Sequence, residues 1–270
     1  MFILPSLISL VVIVVVPFLN GIRYSFTSWN GITAPSFTGL ENYEKVFSDA
    51  QFWSSMWFTI KVSLVAVIGT NVIGLIFALI VTQKWRCRNI LRACYFTPNL
   101  IGGLILGFIW QFIFTSIFPE IGLTGWLADE KTGFWGLCMM YIWQKAGYNM
   151  VIFVAFIEAI PQELQEAATV DGVGPFQRFK HITFPMLMPA FTICLFITLS
   201  NSFKMYDQNL SLTQGGPYSS TEMLAMNIYN TAFNYGEMGY SQVKAVFFFI
   251  LVAGITLLQT NLTKKREVEI

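Results

Sequence analysis

The chain has 270 residues, 55% of them hydrophobic and only 11% charged, with a formal net charge of +1. Soluble domains carry roughly 25% charged residues, so this composition belongs to the membrane class, and its near-neutral balance gives no basis for binding nucleic acid. Cys87, Cys94, Cys138 and Cys194 form no CxxC pair, lie in or beside apolar stretches, and read as reduced packing residues. The single histidine, His181, sits in a polar loop and offers no metal site. No G-x-x-x-x-G-K-[ST] loop is present to cradle phosphates, and no Ser, His and acid set points to a hydrolase.

In chain order, the first apolar run covers residues 2–20. It lacks a basic start and a small-residue cleavage site, so it reads as a retained span. The missing basic start leaves room for a longer native N-terminus. An amphiphilic segment from Arg23 to Ser55 follows, with Trp29-Asn30-Gly31 and Pro35. The second span is expected over 56–82, with Gly69 and Gly74 offering close helix contacts. The third covers 94–118, with Pro98 near its start and Gly102, Gly103 and Gly107 along it. A short loop leads to a fourth span over 134–160. A polar loop fills 161–185, the fifth span covers 186–205, and residues 207–239 read as a polar external loop. The last span, 241–262, closes in Lys264-Lys265-Arg266. Each run can cross a hydrocarbon core of about 30 Å, which takes roughly 20 residues. The expectation is one all-α, polytopic membrane domain over residues 1–270 with about six transmembrane helices.

Lys and Arg set the orientation. Lys84, Arg86, Arg88, Arg92, Arg178, Lys180, Lys264, Lys265 and Arg266 fall on one side; only Arg23, Lys45 and Lys131 fall on the other. Lys61, Lys145, Lys204 and Lys244 lie within spans or at their ends. The richer side is cytoplasmic, which puts both termini and the 161–185 loop inside.

That loop reads as two short helices and a turn. Pro161 and Glu163 suit a first helical turn. Leu164, Ala167, Ala168 and Asp171 share one small, mostly apolar face. Gly172 and Gly174 break the helix, Pro175 starts the next, and Pro185 ends the unit. The run Glu166-Ala167-Ala168-x-x-Asp171-Gly172, with Phe179, Ile182 and Pro185 at their offsets, resembles the cytoplasmic "EAA" loop of ABC importer permeases; Val173 stands where that family usually has Ala. The resemblance implies a loop that docks in a cleft of an ATPase subunit. Glu163, Glu166, Ala167, Ala168, Asp171, Gly172 and Phe179 would carry the coupling, with Glu166 and Asp171 facing basic groups and Ala167, Ala168 and Phe179 filling the cleft.

A second stretch narrows the branch. Tyr206-Asp207, then Leu212-Thr213-Gln214-Gly215-Gly216-Pro217 and Thr221-Glu222, resembles the external loop in the first permease subunit of carbohydrate importers of the maltose-transporter type. Phe26-Thr27-Ser28-Trp29 and Gly39-Leu40-Glu41-Asn42-Tyr43 are similar to the same branch. Membership would place the chain in a bacterial cytoplasmic membrane as half of a translocation path. It would be paired with a second homologous permease, two ATPases and an extracytoplasmic solute-binding protein. ATP and Mg would be bound by the ATPases and no cofactor by this chain.

Two polar stripes suggest where a solute passes. Tyr141, Gln144, Lys145 and Tyr148 recur at i, i+3, i+4 and i+7 on the fourth span, and Thr198, Asn201, Ser202 and Met205 repeat that spacing on the fifth. Polar groups in a lipid-bounded bundle face protein or water. Amides and hydroxyls can exchange hydrogen bonds with sugar hydroxyls, and tyrosine rings can cover apolar sugar faces. The stripes alone indicate a polar solute, with Lys145 the one charge; the resemblance narrows the solute to carbohydrate. A self-sufficient secondary transporter or channel is the alternative, but it usually needs ionisable groups at mid-membrane.

Overall fold

The computed structural model describes residues 3–83 and 85–265. Phe2, at the start of the first expected span, and Lys84 and Arg266, two of the charges counted as cytoplasmic, lie outside the described residues. The described chain is helical, with one isolated bridge between Thr27 and Phe37. Its elements are α1 (Leu4–Ser25), α2 (Glu41–Ser48), α3 (Ala50–Val81), α4 (Arg88–Phe96), α5 (Gly103–Glu120) and α6 (Glu130–Glu158). They continue as α7 (Gln162–Val170), α8 (Pro175–Met186), α9 (Met188–Phe203), α10 (Asp207–Leu212), α11 (Leu224–Tyr229) and α12 (Met238–Lys264).

Capping residues extend two helices beyond their apolar runs. Asp49 accepts a hydrogen bond from the Phe52 N–H at 2.9 Å and starts α3 six residues before the expected span. Asp129 and Thr132 form a reciprocal capping box that starts α6 at Glu130 instead of 134. Apolar composition marks what lipid would cover; caps mark where the backbone turns helical.

The third expected span is interrupted. Pro98 lies in a 3-10 turn over Thr97–Leu100, and Gly102 is extended (φ −60°, ψ 144°), so α4 and α5 are separate helices. Pro185 does not end its helix, contrary to expectation: α8 runs on to Met186, and the chain bends by 64° between α8 and α9. Three π-helical turns, Val11–Val15, Ile113–Ile117 and Phe179–Thr183, each end two residues before a proline: Pro17, Pro119 and Pro185. A proline has no N–H to give and its ring crowds the carbonyl four residues back. The wider turn lets the helix carry on past it.

Four helices, α1, α3, α5 and α12, are long and apolar enough to cross a membrane, and the bent α8–α9 pair makes a fifth if it is one span. With 29 residues α6 is also long enough, but Gln144, Lys145 and Asn149 lower its hydropathy. It nonetheless lies at the centre of the fold, packed along α3.

Small residues allow this packing. A Cβ on Gly69 would meet Ile142, and one on Gly74 would meet Asn149 and the Ala146 carbonyl. Gly103 faces Asp207 and Gln208, and Gly107 faces Ser211. Four of the five expected glycines thus mark helix contacts. Gly102 does not; it has nothing within 4 Å and serves the break instead. At Gly147 the neighbour is backbone: a Cβ there would overlap the Tyr95 carbonyl of α4. Cys138 and Cys194 are buried packing residues as expected, whereas Cys87 and Cys94 are exposed; all four are free.

The 207–239 stretch is not simply an external loop. Helix α10 folds back on α5 and buries Asn209, Ser211 and Leu212. Asn209 secures the return: its amide donates to the Thr221 carbonyl at 2.8 Å and its oxygen accepts from the Met223 N–H at 2.9 Å. Nearby, the ammonium of Lys244 on α12, only 3% exposed, lies 2.9 Å from each of Asp49 Oδ2, Asn227 Oδ1 and Thr231 Oγ1. Tyr240 donates to Asp49 at 2.7 Å. Burial opposes ionisation of Asp49, but the hydrogen bonds from Lys244, the Phe52 N–H and Tyr240 outweigh it and hold the carboxyl below its ordinary value.

Two outcomes follow for stability. Lys244→Met leaves Asp49 without its cation and should cost about 3–5 kcal/mol, seen as a lowered thermal midpoint of the detergent-purified protein. Because Asp49 is depressed, its contribution is present above the usual carboxylate range and lost as pH falls through the lower folded value; the variant should lose the share of that acid sensitivity that Lys244 supplies and keep the share from the Phe52 N–H and Tyr240. Gly147→Leu should abolish the α4–α6 crossing and with it the recoverable folded protein; full recovery of a monodisperse variant would show that α4 can stand off from α6.

Candidate functional site

Helices α6 and α9 lie side by side and open a cavity of about 210 Å³ between them and the break before α5. Its lining is Asn99, Tyr141, Lys145, Tyr148, Asn149, Ile197, Thr198 and Asn201. Lys145 donates to Asn99 Oδ1 at 3.0 Å. The Tyr141 hydroxyl donates to the Thr198 carbonyl and the Asn149 amide to Thr198 Oγ1, both at 3.0 Å. Lys145 is the one charged side chain in the lining, and among the described residues it has no carboxylate within ion-pair distance.

Five of the eight stripe residues therefore meet at one cavity: Tyr141, Lys145, Tyr148, Thr198 and Asn201. Three do not. Gln144 is buried behind the wall, where its amide donates to the Ile101 carbonyl at 2.9 Å and its oxygen accepts from Gln208 at 3.2 Å. Ser202 is buried and donates back to the Leu199 carbonyl. Met205 lies beyond the end of α9 in the hydrophobic core with Tyr141. Helical spacing assigns a face, and this face turns partly to the cavity and partly to α10. Asn149 was within reach of the spacing argument, four residues past Lys145. Asn99 was not, because it reaches the cavity only through the broken span.

The second candidate surface is α7–α8. Gly172 has φ +71°, the Val173 N–H donates to the Ala168 carbonyl at 2.9 Å, and the Gly172 N–H to the Thr169 carbonyl at 3.1 Å. This is a Schellman turn, in which glycine takes the left-handed position. Val173 takes the next position and is not among the residues with positive φ. Glu163, Glu166 and Asp171 are exposed, and among the described residues none pairs with a base; Glu166 accepts from Gln162 at 2.7 Å. Ala167 is exposed. Ala168 is buried inside the chain and Phe179 is half-buried near Phe184, so these two support the segment from within. The large apolar groups it presents are Leu164, Val170, Phe176 and Phe184, with Phe176 76% exposed and Phe184 nearest the bend to α9. Nothing local in the sequence singles out Phe176 or Val170 as the exposed groups.

Comparison with known proteins gives the family to which the chain belongs. Residues 70–268 match the family described as "Binding-protein-dependent transport system inner membrane component". The chain is 51% identical over 276 residues to the probable starch degradation products transport system permease protein AmyD of Thermoanaerobacterium thermosulfurigenes, covering 100% of this chain and 94% of that one. It is 30% identical to the multiple sugar-binding transport system permease protein MsmF of Streptococcus mutans, over 99% and 95% of the two chains. The fold matches that of a bacterial ABC transporter involved in the import of the acidic polysaccharide alginate, with a TM-score of 0.85 over 98% of this chain and 94% of that one, at 19% identity. The chain therefore belongs to the binding-protein-dependent inner-membrane transport family and is the permease of a carbohydrate ABC importer.

Proposed function

We propose that this subunit forms half of a path for short glucose oligomers released from starch. In this reading an extracytoplasmic solute-binding protein delivers them and a separate pair of ATPases drives their passage. The observation that carries the reading is the 51% identity, along the whole chain, to a permease named for starch degradation products. The cavity supports it. Its amides, hydroxyls and two tyrosines suit neutral sugar rings, and among the described residues no carboxylate lines it. Small-molecule sites commonly run to about 300–1,000 Å³. A cavity of about 210 Å³ falls short of that and fits one wall of a site completed by a second, homologous permease. A secondary transporter would need an ion-coupling group in the path, and Lys145 alone, without an acid, does not supply one.

The chain itself is non-catalytic in this reading. With α6 counted there are six spans, both termini are cytoplasmic, and α7–α8 meets the ATPase. Leu164, Val170 and Phe176 enter its cleft, Glu166 and Asp171 meet its basic groups, and ATP and Mg stay on the ATPase. In the alginate transporter a solute-bound periplasmic protein forms a complex with the membrane assembly, which supports the same arrangement here.

Two measurements test this. Tyr148→Ala and Asn201→Leu should lower uptake of radiolabelled maltotriose by proteoliposomes containing the whole complex, with ATP hydrolysis retained; unchanged uptake in both would remove the cavity from the path. Glu166→Lys should cost the ATPase interface about 2–5 kcal/mol, the usual loss when one partner of a desolvated charge pair is removed. ATPase co-purification should then drop while membrane insertion persists. Wild-type recovery of the ATPase with this variant would place Glu166 outside the interface.

A further inference from the structure

Glu158 is the last residue of α6, three positions before Pro161 and the start of α7. A carboxylate is poorly placed there, because the C-terminal end of a helix carries partial negative charge. What offsets it is Arg92 of α4, whose Nη2 pairs with Glu158 Oε1 and also lies 3.5 Å from the Val81 carbonyl at the end of α3. One guanidinium thus touches the cytoplasmic ends of two long helices. Its Nε is buried and, among the described residues, has no hydrogen-bond partner. Arginine forks commonly meet a carboxylate through two parallel N–H bonds. Here one buried donor is left over, which disfavours this arrangement relative to one in which the fork is fully engaged.

The helix that carries Arg92 is wedged in place. Leu91 and Tyr95 pack against a core built from Ala78, Met150, Phe153 and Leu187. Tyr95 stacks on Phe77 with ring centroids 4.0 Å apart, and its carbonyl abuts Gly147. Seven residues beyond Arg92, about 10 Å up the chain, Asn99 enters the cavity and accepts from Lys145. From α7 the route runs three residues back along the chain to Glu158, across the ion pair to Arg92, and along α4 and the turn after it to Asn99 at the cavity wall.

We infer that Arg92 and Glu158 are positioning residues for transport: the pair makes α4, and with it Asn99, follow the movement of the α7–α8 segment. The inference rests on the reading that α7–α8 receives the ATPase. An exposed ion pair contributes little to stability, and Glu158 is half-exposed. Its loss should therefore show in coupling and not in assembly.

The test uses the assembled complex in proteoliposomes with maltotriose as probe, measuring uptake and ATP hydrolysis together. Arg92→Gln and Glu158→Gln should each lower uptake per ATP hydrolysed by about three- to tenfold, with the yield of complex unchanged. The charge swap Arg92→Glu with Glu158→Arg should recover at least half of that loss. A ratio within about twofold of wild type in either single variant overturns the inference, as does a double variant no better than the singles, or a fall in uptake that only follows a fall in complex yield. Unchanged co-purification of the ATPase with a complex carrying Leu164→Asp, Val170→Asp and Phe176→Asp together would instead overturn the reading of α7–α8, so the two failures are distinct.

Discussion

In hydrocarbon an unpaired backbone group has no water to turn to, so irregular backbone survives only where protein supplies its partners. The break between α4 and α5 is the place where this constraint bears hardest. The chain leaves the helix at Thr97 and re-enters it at Gly103, and α6 meets the gap from the side. Gln144 donates to the free Ile101 carbonyl, Lys145 holds the Asn99 side chain, and Gly147 lets the Tyr95 carbonyl come against the helix. The cavity depends on this arrangement. An uninterrupted third span would fill the space with its own side chains. A break without Gln144 would leave a carbonyl stranded. The hydrophilic residues that make α6 look too polar to cross a membrane are thus partly the cost of opening the helix beside it.

The same accounting explains the prolines. At Pro17, Pro119 and Pro185 the missing N–H falls just after a π-helical turn, which shifts the hydrogen-bond register and lets the helix continue. At Pro98 there is no such turn, and the helix ends. The two outcomes have different uses: a continuing helix preserves a lipid-compatible cylinder, and a broken one exposes backbone and side chains to a path.

Much of this was legible in the sequence because it depends on local rules. The α7–α8 turn needs a residue that tolerates positive φ followed by one that can start a helix, and Gly172 and Pro175 supply both within four positions. Tyr141, Lys145 and Tyr148 could be grouped because a helix repeats every 3.6 residues. What stayed hidden depends on distant parts of the chain. Nothing local to Asn99 announces that it faces Lys145, 46 positions later. The stretch around Asn209 reads as loop by composition, yet its polar groups are consumed by the Thr221 and Met223 backbone. Lys244 reads as a charge near a span end until Asp49 is brought to it from 195 positions away.

The length of α3 sets the height of the molecule. A helix of 32 residues is about 48 Å long, against about 30 Å of hydrocarbon. Tilt cannot absorb the difference, since it would have to exceed about 50° where spans reach at most about 40°. The ion pair between Lys61 and Glu130 shows which end protrudes. Both side chains are substantially exposed and unsuited to lipid, and about 20 residues, or about 30 Å of helix, separate Lys61 from Val81. By length, the eleven residues of α3 before Lys61, about 16 Å of helix, exceed what the hydrocarbon needs, at the end of α3 away from Val81. That end is not a bare helix: Phe52 and Met56 pack there with Val46, Leu224, Tyr240 and Val243, so segments far apart in the chain brace it.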